Sequence, residues 1–547
     1  MSPEKVDVVV IGSGVAGMTA GAMLARDCGK QVVVFERSPF LGGRCLSYVG
    51  RGKKVVADGI ELDARTFRKS LPLAHCSLGK CTPDLETIFS EGLLDGRTFE
   101  AGGHGLFWGN HGRIDHVLAH FGKRVELPLN RGLGFVEWQG LHEDGTVRTT
   151  TAHQVRKGKP YTWMSAEGFS KTMELLADMA RLTPEDLGNL SRKPLQDWLA
   201  ERNLHPEAYT YVKVLAAAQT GQADPRMTAA EDFLGYMTTA RWLGMNLTTG
   251  SVACADEPGT IAIPLALEEP IETNGGSVRR RTPVTRVLTE HGRVTGVEYR
   301  EASERRVLHA DQVICTLPPK YAFQVLPSEH FPADWVRFVK EEHWGIGLLT
   351  GWAGTKRSLL GDLGLEESSF VFMPGITDED EGFIGVVDMI MCDFTAWADG
   401  KAKRAPEGKS DFYFSTALTD AEMRNPERVN LVIERCEAWA RANFPTWEED
   451  VEFILWTPSP QALGTVRPVG KDRIAHRSEH VEGLWFAGDQ YGEKNWGCGI
   501  DAAALSGIVC VDQMMGTVFE TTLFPSHHQG ILLDSAPTWL HRSKGVG

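Results

Sequence analysis

No run within the 547 residues stays apolar for long enough to cross a bilayer. The most apolar window, Val6 to Ala25, is interrupted by Asp7 and four glycines, so a membrane-embedded body is excluded. Cysteine is sparse, ten residues scattered along a long chain, which excludes a disulfide framework and leads us to expect reduced thiols in the cytoplasm. Positive charge is in deficit: 57 Lys and Arg against 72 Asp and Glu leave a net charge of −15, which argues against nucleic acid as a partner. The start, Met1-Ser-Pro-Glu4, carries an acid where a secretion signal needs bases, and the expected location is cytoplasmic. Repeats and low-complexity linkers are absent. His527 and His528 are adjacent but have no Cys or carboxylate company, so they read as a solvated tail and no metal is expected.

What is abundant is glycine, 58 residues, well above the ordinary share of about 7%, and the positions of the glycines are informative. Val6 to Ile11 is a nearly all-apolar run ended by glycines, the pattern of a strand buried on both faces of a parallel sheet. A helical pattern follows from Val15 to Leu24, then a second buried strand from Gln31 to Phe35, so the first 36 residues form a βαβ unit. Between strand and helix lies Gly12-Ser-Gly14-Val-Ala16-Gly17. The first glycine permits a tight turn, the second lets a pyrophosphate approach the backbone, and the third lets helix and strand pack closely. The helix start offers unpaired N–H groups to phosphate. Glu36 ends the second strand 19 residues past Gly17, where a carboxylate can accept from a ribose diol. Context thus makes this a dinucleotide site.

Arg37, then Gly42-Gly43-Arg44, adds a second close backbone approach and cations just past the ribose position, which suits the longer, flavin-bearing dinucleotide FAD. Far along the chain, a strand ending in Gly488-Asp489 can present a carboxylate to the ribityl hydroxyls. The helix starting near Gly499 and Ile500 would aim its positive end at the flavin edge that gains negative charge on reduction. Elsewhere the segment 47–98 reads as a polar, irregular insertion, and 116–250 reads as helical. Within the latter, Phe169, Met173, Leu176 and Met179 form one stripe, and Phe233, Met237, Ala240, Gly244 and Leu247 another. Residues 275–316 alternate as an antiparallel meander, and 336–455 carries further strands with one amphipathic helix at Val429 to Phe444. Cys76 and Cys81 have the spacing of a redox pair but trail Gly43 by more than thirty residues, and read as unpaired thiols.

The chain resembles the flavin amine oxidase and phytoene desaturase superfamily. The resemblance rests on Gly12 to Gly17, Glu36 to Arg44, Glu100-Ala-Gly-Gly103-His104, Pro283-Val284, Ala310 to Pro318 and Ala487 to Gly507, and it covers most of the chain. It implies backbone at Val284 against the adenine, Arg44 near the pyrophosphate, Asp489 at the ribitol, and Gly103 and Ile500 near the flavin ring. Ala405-Pro-Glu-Gly-Lys409 is similar to the desaturase branch, whereas the loop Gln490 to Trp496 and the 47–98 insertion depart from the family pattern. The expected fold is α/β: a Rossmann-like FAD-binding domain, parallel sheet plus antiparallel meander, with an inserted mixed α+β substrate domain. The FAD-binding parts are expected at 1–115, 251–330 and 456–516, and the substrate parts at 116–250 and 331–455, with a tail at 517–547.

The expected chemistry is hydride removal from an activated or allylic C–H of an apolar, isoprenoid-like molecule, giving a desaturated or hydroxylated product. His104 is a candidate proton handler or a structural histidine; Glu493 and Lys494 are candidate helpers or a solvated loop. The alternatives are an amine oxidase with Trp485, Tyr491 and Trp496 as an aromatic cage, and a non-catalytic flavoprotein subunit. A quinone, another flavoprotein or oxygen would take the electrons. Homo- or hetero-oligomerisation and a peripheral contact at the inner membrane face stay open.

Overall fold

The computed structural model describes residues 4–102, 105–106, 112–127, 133–141, 147–155, 164–179, 181–220, 225–242, 251–252, 258–341, 345–365, 370–373, 389–393, 403–463, 469–492 and 499–524. The first sheet is drawn from both ends and the middle of the chain. Its strands are β1 (Lys5–Ile11), β2 (Val32–Phe35), β3 (Ser277–Arg279), β4 (Val284–Glu290), β5 (Arg293–Glu301), β6 (Glu304–Cys315) and β7 (Leu484–Phe486). They run in the order β3-β2-β1-β6-β5-β4, with β7 also paired to β6. The pairs β3–β2, β2–β1, β1–β6 and β6–β7 are parallel, while β4, β5 and β6 form the antiparallel meander.

The apolar run of β1 is explained by what covers each face. Val8 and Val10 face two helices, α1 (Val15–Ala22) and α2 (Gly499–Met515), whereas Val9 and Ile11 face the meander side together with Val33, Phe35 and Val313. Each fully buried valine contributes roughly 1.5–3 kcal/mol of transfer free energy. The two helices cross closely because Gly507 has no side chain: a Cβ there would lie 2.7 Å from the Ala16 carbonyl oxygen.

The second sheet has eight strands, in the order 147–155, 133–141, 370–373, 389–393, 410–418, 346–355, 451–463 and 81–82. The helix Pro426–Asn443 covers one face through Val432, Ile433 and Trp439, and its Asn425 caps the first-turn N–H groups of Glu427 and Arg428. Trp352, Tyr413, Phe453 and Leu455 belong instead to a core shared with the helices Ala166–Met179, Pro206–Thr220 and Ala230–Trp242. Both predicted helical stripes are core in their described part: Leu176, Met179, Phe233 and Met237 are buried there, and residues 243–250 lie outside the described residues. No helix among the described residues is long and apolar enough to cross a membrane.

Two expectations are corrected. The segment 47–98 is regular, with a four-stranded sheet (60–62, 54–57, 47–51, 98–100) and helices at Ala64–Ser70 and Leu85–Ser90 around Tyr48, Phe67 and Phe99. Its strands are short and alternate with exposed polar positions, so their apolar content is too thin to register as a run. Within the region read as helical, Leu133–Leu141 and Val147–Val155 form a hairpin. The β-branched series Val147-Arg-Thr-Thr-Thr151 carries the strand preference that the helical reading overlooked.

Arg97, 1% exposed, ties the 47–98 segment to the second sheet. Its guanidinium donates to Asp411 at 2.6 Å, to Glu452 at 2.8 Å and to the Ser410 carbonyl at 2.8 Å. Burial pushes the Asp411 carboxyl up to about 6 in spite of that cation. Arg97→Ala removes the cation hydrogen-bonded to this buried acid and leaves only the more weakly acting Arg404, and urea unfolding is expected to show a loss of about 3 kcal/mol or more.

Candidate functional site

At the end of β1 the chain turns at Gly12, whose φ is +106° and where a Cβ would collide with the Thr316 hydroxyl. Gly17, at the third position of the fingerprint, leaves no room either: a Cβ would run into the Gly12 carbonyl oxygen, so helix and turn can be this close only without one. Gly14 differs. Among the described residues nothing beyond its chain neighbours lies within 4 Å of the Cβ it lacks, so packing there does not demand its bareness. It is the N-cap of α1 and no side chain among the described residues caps that helix, which leaves first-turn N–H groups for an anion.

These elements border a cavity of ≈ 1380 Å³, part of it open to solvent. Every described residue assigned to the cofactor from sequence except Gly17 lines it: Gly12, Gly14, Ala16, Glu36, Arg37, Gly42, Gly43, Arg44, Val284, Gly488, Asp489, Gly499 and Ile500. Gly17 stands behind the lining as the close-packing glycine. Glu36 is buried and held in place: one carboxylate oxygen accepts from the Ser13 N–H at 3.1 Å and hydroxyl at 2.7 Å, the other from the Ser38 N–H at 2.7 Å.

Arg44 and Asp489, expected at separate stations along the cofactor, are joined in an ion pair of 2.8 Å. Arg44 also donates to the carbonyls of Gln461 and Ala462, so one guanidinium links the two glycine-rich loops to strand 451–463 of the second sheet. Burial works against its charge and Asp489 outweighs this, holding the guanidinium above its ordinary value. The Gly488 N–H is tied to the Ser506 hydroxyl at 2.9 Å, which fixes the loop to α2. Gly499, Ile500 and Ala503, at the start of α2, point the positive end of that helix into the cavity.

Gly103, His104, Glu493, Lys494 and Trp496 lie outside the described residues. The proposed aromatic cage loses its two described members to the core. Trp485 donates its indole N–H to Gln312 at 2.6 Å, and Tyr491 donates its hydroxyl to the Leu317 carbonyl at 2.6 Å while stacking on Phe486. Cys76 and Cys81 are free thiols, pushed by burial up to about 12 and about 11, and are not a redox pair. The individual roles read from sequence missed Leu73, His75, Gln324, Val325 and Ala462 on the cavity wall. No local pattern marks them, because the fold brings them there from distant segments.

The comparisons with known proteins agree with this geometry. The family described as flavin containing amine oxidoreductase matches residues 15–515. The chain belongs to that family. Its cofactor is FAD. The zeta-carotene-forming phytoene desaturase of Myxococcus xanthus is 26% identical over 332 residues, 58% of this chain and 54% of that protein. An inactive all-trans-retinol 13,14-reductase from Danio rerio is 25% identical over 350 residues, 61% of this chain and 50% of that protein. The chain thus spans about half the length of these curated relatives. In fold, it matches an oxidoreductase from Methanosarcina mazei with a TM-score of 0.63 at 18% identity, covering 92% of this chain and 100% of that one.

The two fingerprint glycines separate ligand space from packing space. Gly14→Val is expected to leave the melting midpoint of the cofactor-free protein unchanged and to remove most bound flavin, read as flavin absorbance per polypeptide. Gly17→Val is expected to cost about 1–3 kcal/mol of stability or more, because the added methyls meet backbone that cannot yield.

Proposed function

We propose that the protein is an FAD-dependent oxidoreductase acting on an activated or allylic C–H bond of an apolar, isoprenoid-like substrate such as a terpene, carotenoid or steroid. The product is desaturated, or hydroxylated where water traps the intermediate cation. Bound FAD supplies a two-electron hydride acceptor. The observation that carries the substrate class is the likeness, over some three-fifths of the chain, to proteins named for phytoene and retinol, both isoprenoids.

The chain's own groups divide the work. The uncapped start of α1 holds the diphosphate, and Glu36 accepts from a ribose diol. Asp489, oriented by Arg44, accepts from the polyol, and the start of α2 stabilises negative charge that develops beside it. Ile500 and Ala503 make that end of the cavity apolar, which keeps water from the reacting carbon. His104, Glu493 and Lys494 are the groups proposed to move the proton lost from the neighbouring carbon. The substrate lies between the FAD-binding parts, 1–115, 251–330 and 456–516, and the parts at 116–250 and 331–455. A quinone, a second flavoprotein or oxygen then takes up the electrons. The burial of Trp485 and Tyr491 in the core favours this reading over amine oxidation, since neither ring remains to surround an ammonium group.

Anaerobic addition of terpenes, carotenoids, steroids and amines to the FAD-loaded protein tests the proposal through the flavin absorbance near ~450 nm. Bleaching by one isoprenoid class and by no amine is the expected result. Bleaching by an amine, with peroxide formed on admission of air, would overturn it.

A further inference from the structure

The corrected 47–98 segment delivers Leu73 and His75 to the cofactor cavity, and no motif announces either. After the helix Ala64–Ser70 the chain makes a tight turn at Leu71–Ala74 and leaves it through His75, at φ +61°. A residue with a β-carbon is uncommon in that conformation, although histidine is among those that adopt it most readily. Here the backbone beyond the turn is held firmly. The His75 carbonyl accepts from the Ser459 hydroxyl at 3.2 Å, the Ser77 N–H donates to the Pro458 carbonyl at 2.9 Å, and the Gly79 N–H to the Trp456 carbonyl at 2.8 Å. Strand 451–463, which also receives Arg44, therefore anchors the segment alongside the cavity.

The imidazole is half-buried on the cavity wall, next to Leu73, and lies parallel to the Tyr321 ring with centroids 5.7 Å apart. Neither ring nitrogen has a hydrogen-bond partner among the described residues. Burial, and then the charges of Arg44 and Arg37, press its pKa down to about 3, so the ring is neutral at physiological pH and carries one N–H donor. A donor with no partner among the described residues, on the wall of a dinucleotide cavity that Arg37 and Arg44 also line, matches an anionic acceptor.

We propose that His75 is a cofactor-binding residue that donates a ring hydrogen bond to the diphosphate of FAD, with Tyr321 and strand 451–463 fixing its orientation. The 47–98 segment thereby contributes to the wall of the same cavity that the start of α1 lines. This inference rests on the assignment of FAD to the cavity, and the experiment separates the two.

Cofactor-free full-length protein is titrated with FAD, following the quenching of flavin fluorescence, for the wild type, His75→Ala and His75→Gln. Alanine and glutamine both place a β-carbon at the same positive φ, so backbone strain is matched between the two variants. His75→Ala is expected to weaken FAD binding about 10- to 100-fold, the range for losing a hydrogen bond to a charged group. His75→Gln, which retains an N–H donor, is expected to remain within about threefold of wild type. The cofactor-free melting midpoints of the two variants should agree with each other, so that any difference in their affinities reports the donor and not the fold. Wild-type affinity in His75→Ala would overturn the inference, as would an equal loss in both variants. Failure of the wild type itself to bind FAD would overturn the cofactor assignment instead.

Discussion

An uncapped helix start is the constraint on which the architecture depends. The first N–H groups of α1 have no partner within the helix, no side chain among the described residues caps them, and together with the helix dipole they amount to roughly half a positive charge facing the cavity. Leaving such groups unsatisfied costs on the order of 1–3 kcal/mol each, so the site is completed by an anion. Everything adjacent keeps that end in place. β1 is clamped between β2 and β6, Gly17 lets the helix lie against its own turn, and Gly507 lets α2 cross it closely. The distant β7–α2 segment reaches the same cavity because β7 joins the sheet beside β6, in register with Val313 to Cys315.

A second constraint is the handling of buried charge where the sheets meet. Arg44 with Asp489, Arg97 with Asp411 and Glu452, and Arg404 with Glu100 are pairs whose members come from segments hundreds of residues apart. Each is mostly buried, so neither partner tolerates loss of the other. A shared ion pair therefore fixes the glycine-rich loops of the dinucleotide sheet against strand 451–463 of the second sheet, and the cofactor cavity lies along that join.

The dinucleotide half was legible in the sequence because its signals are local. Glycines at fixed spacing, a strand saturated with valine and an acid at the end of the next strand each report a backbone requirement that only a few residue types can meet. What escaped was either thin or non-local. The strands at 54–57 and 60–62 bury one or two residues each, too few to show as a run, and the 133–155 hairpin was absorbed into a helical reading of its surroundings. Leu73 and His75 reach the cavity only because residues 75–82 run along strand 451–463, a pairing across more than 370 positions that no window of sequence contains. Trp485 and Tyr491 erred in the other direction: position near a flavin loop suggested a cage, while their polar atoms are already committed to Gln312 and to the Leu317 carbonyl.

The central claim is that one cofactor is held at once by segments from the beginning, middle and end of the chain. Amide hydrogen exchange with and without FAD measures this most directly. The account predicts that residues 12–17, 42–45, 284–287, 488–489 and 499–503 gain protection together on loading. Protection confined to residues 12–17, with the C-terminal loop and the start of α2 unchanged, would contradict it.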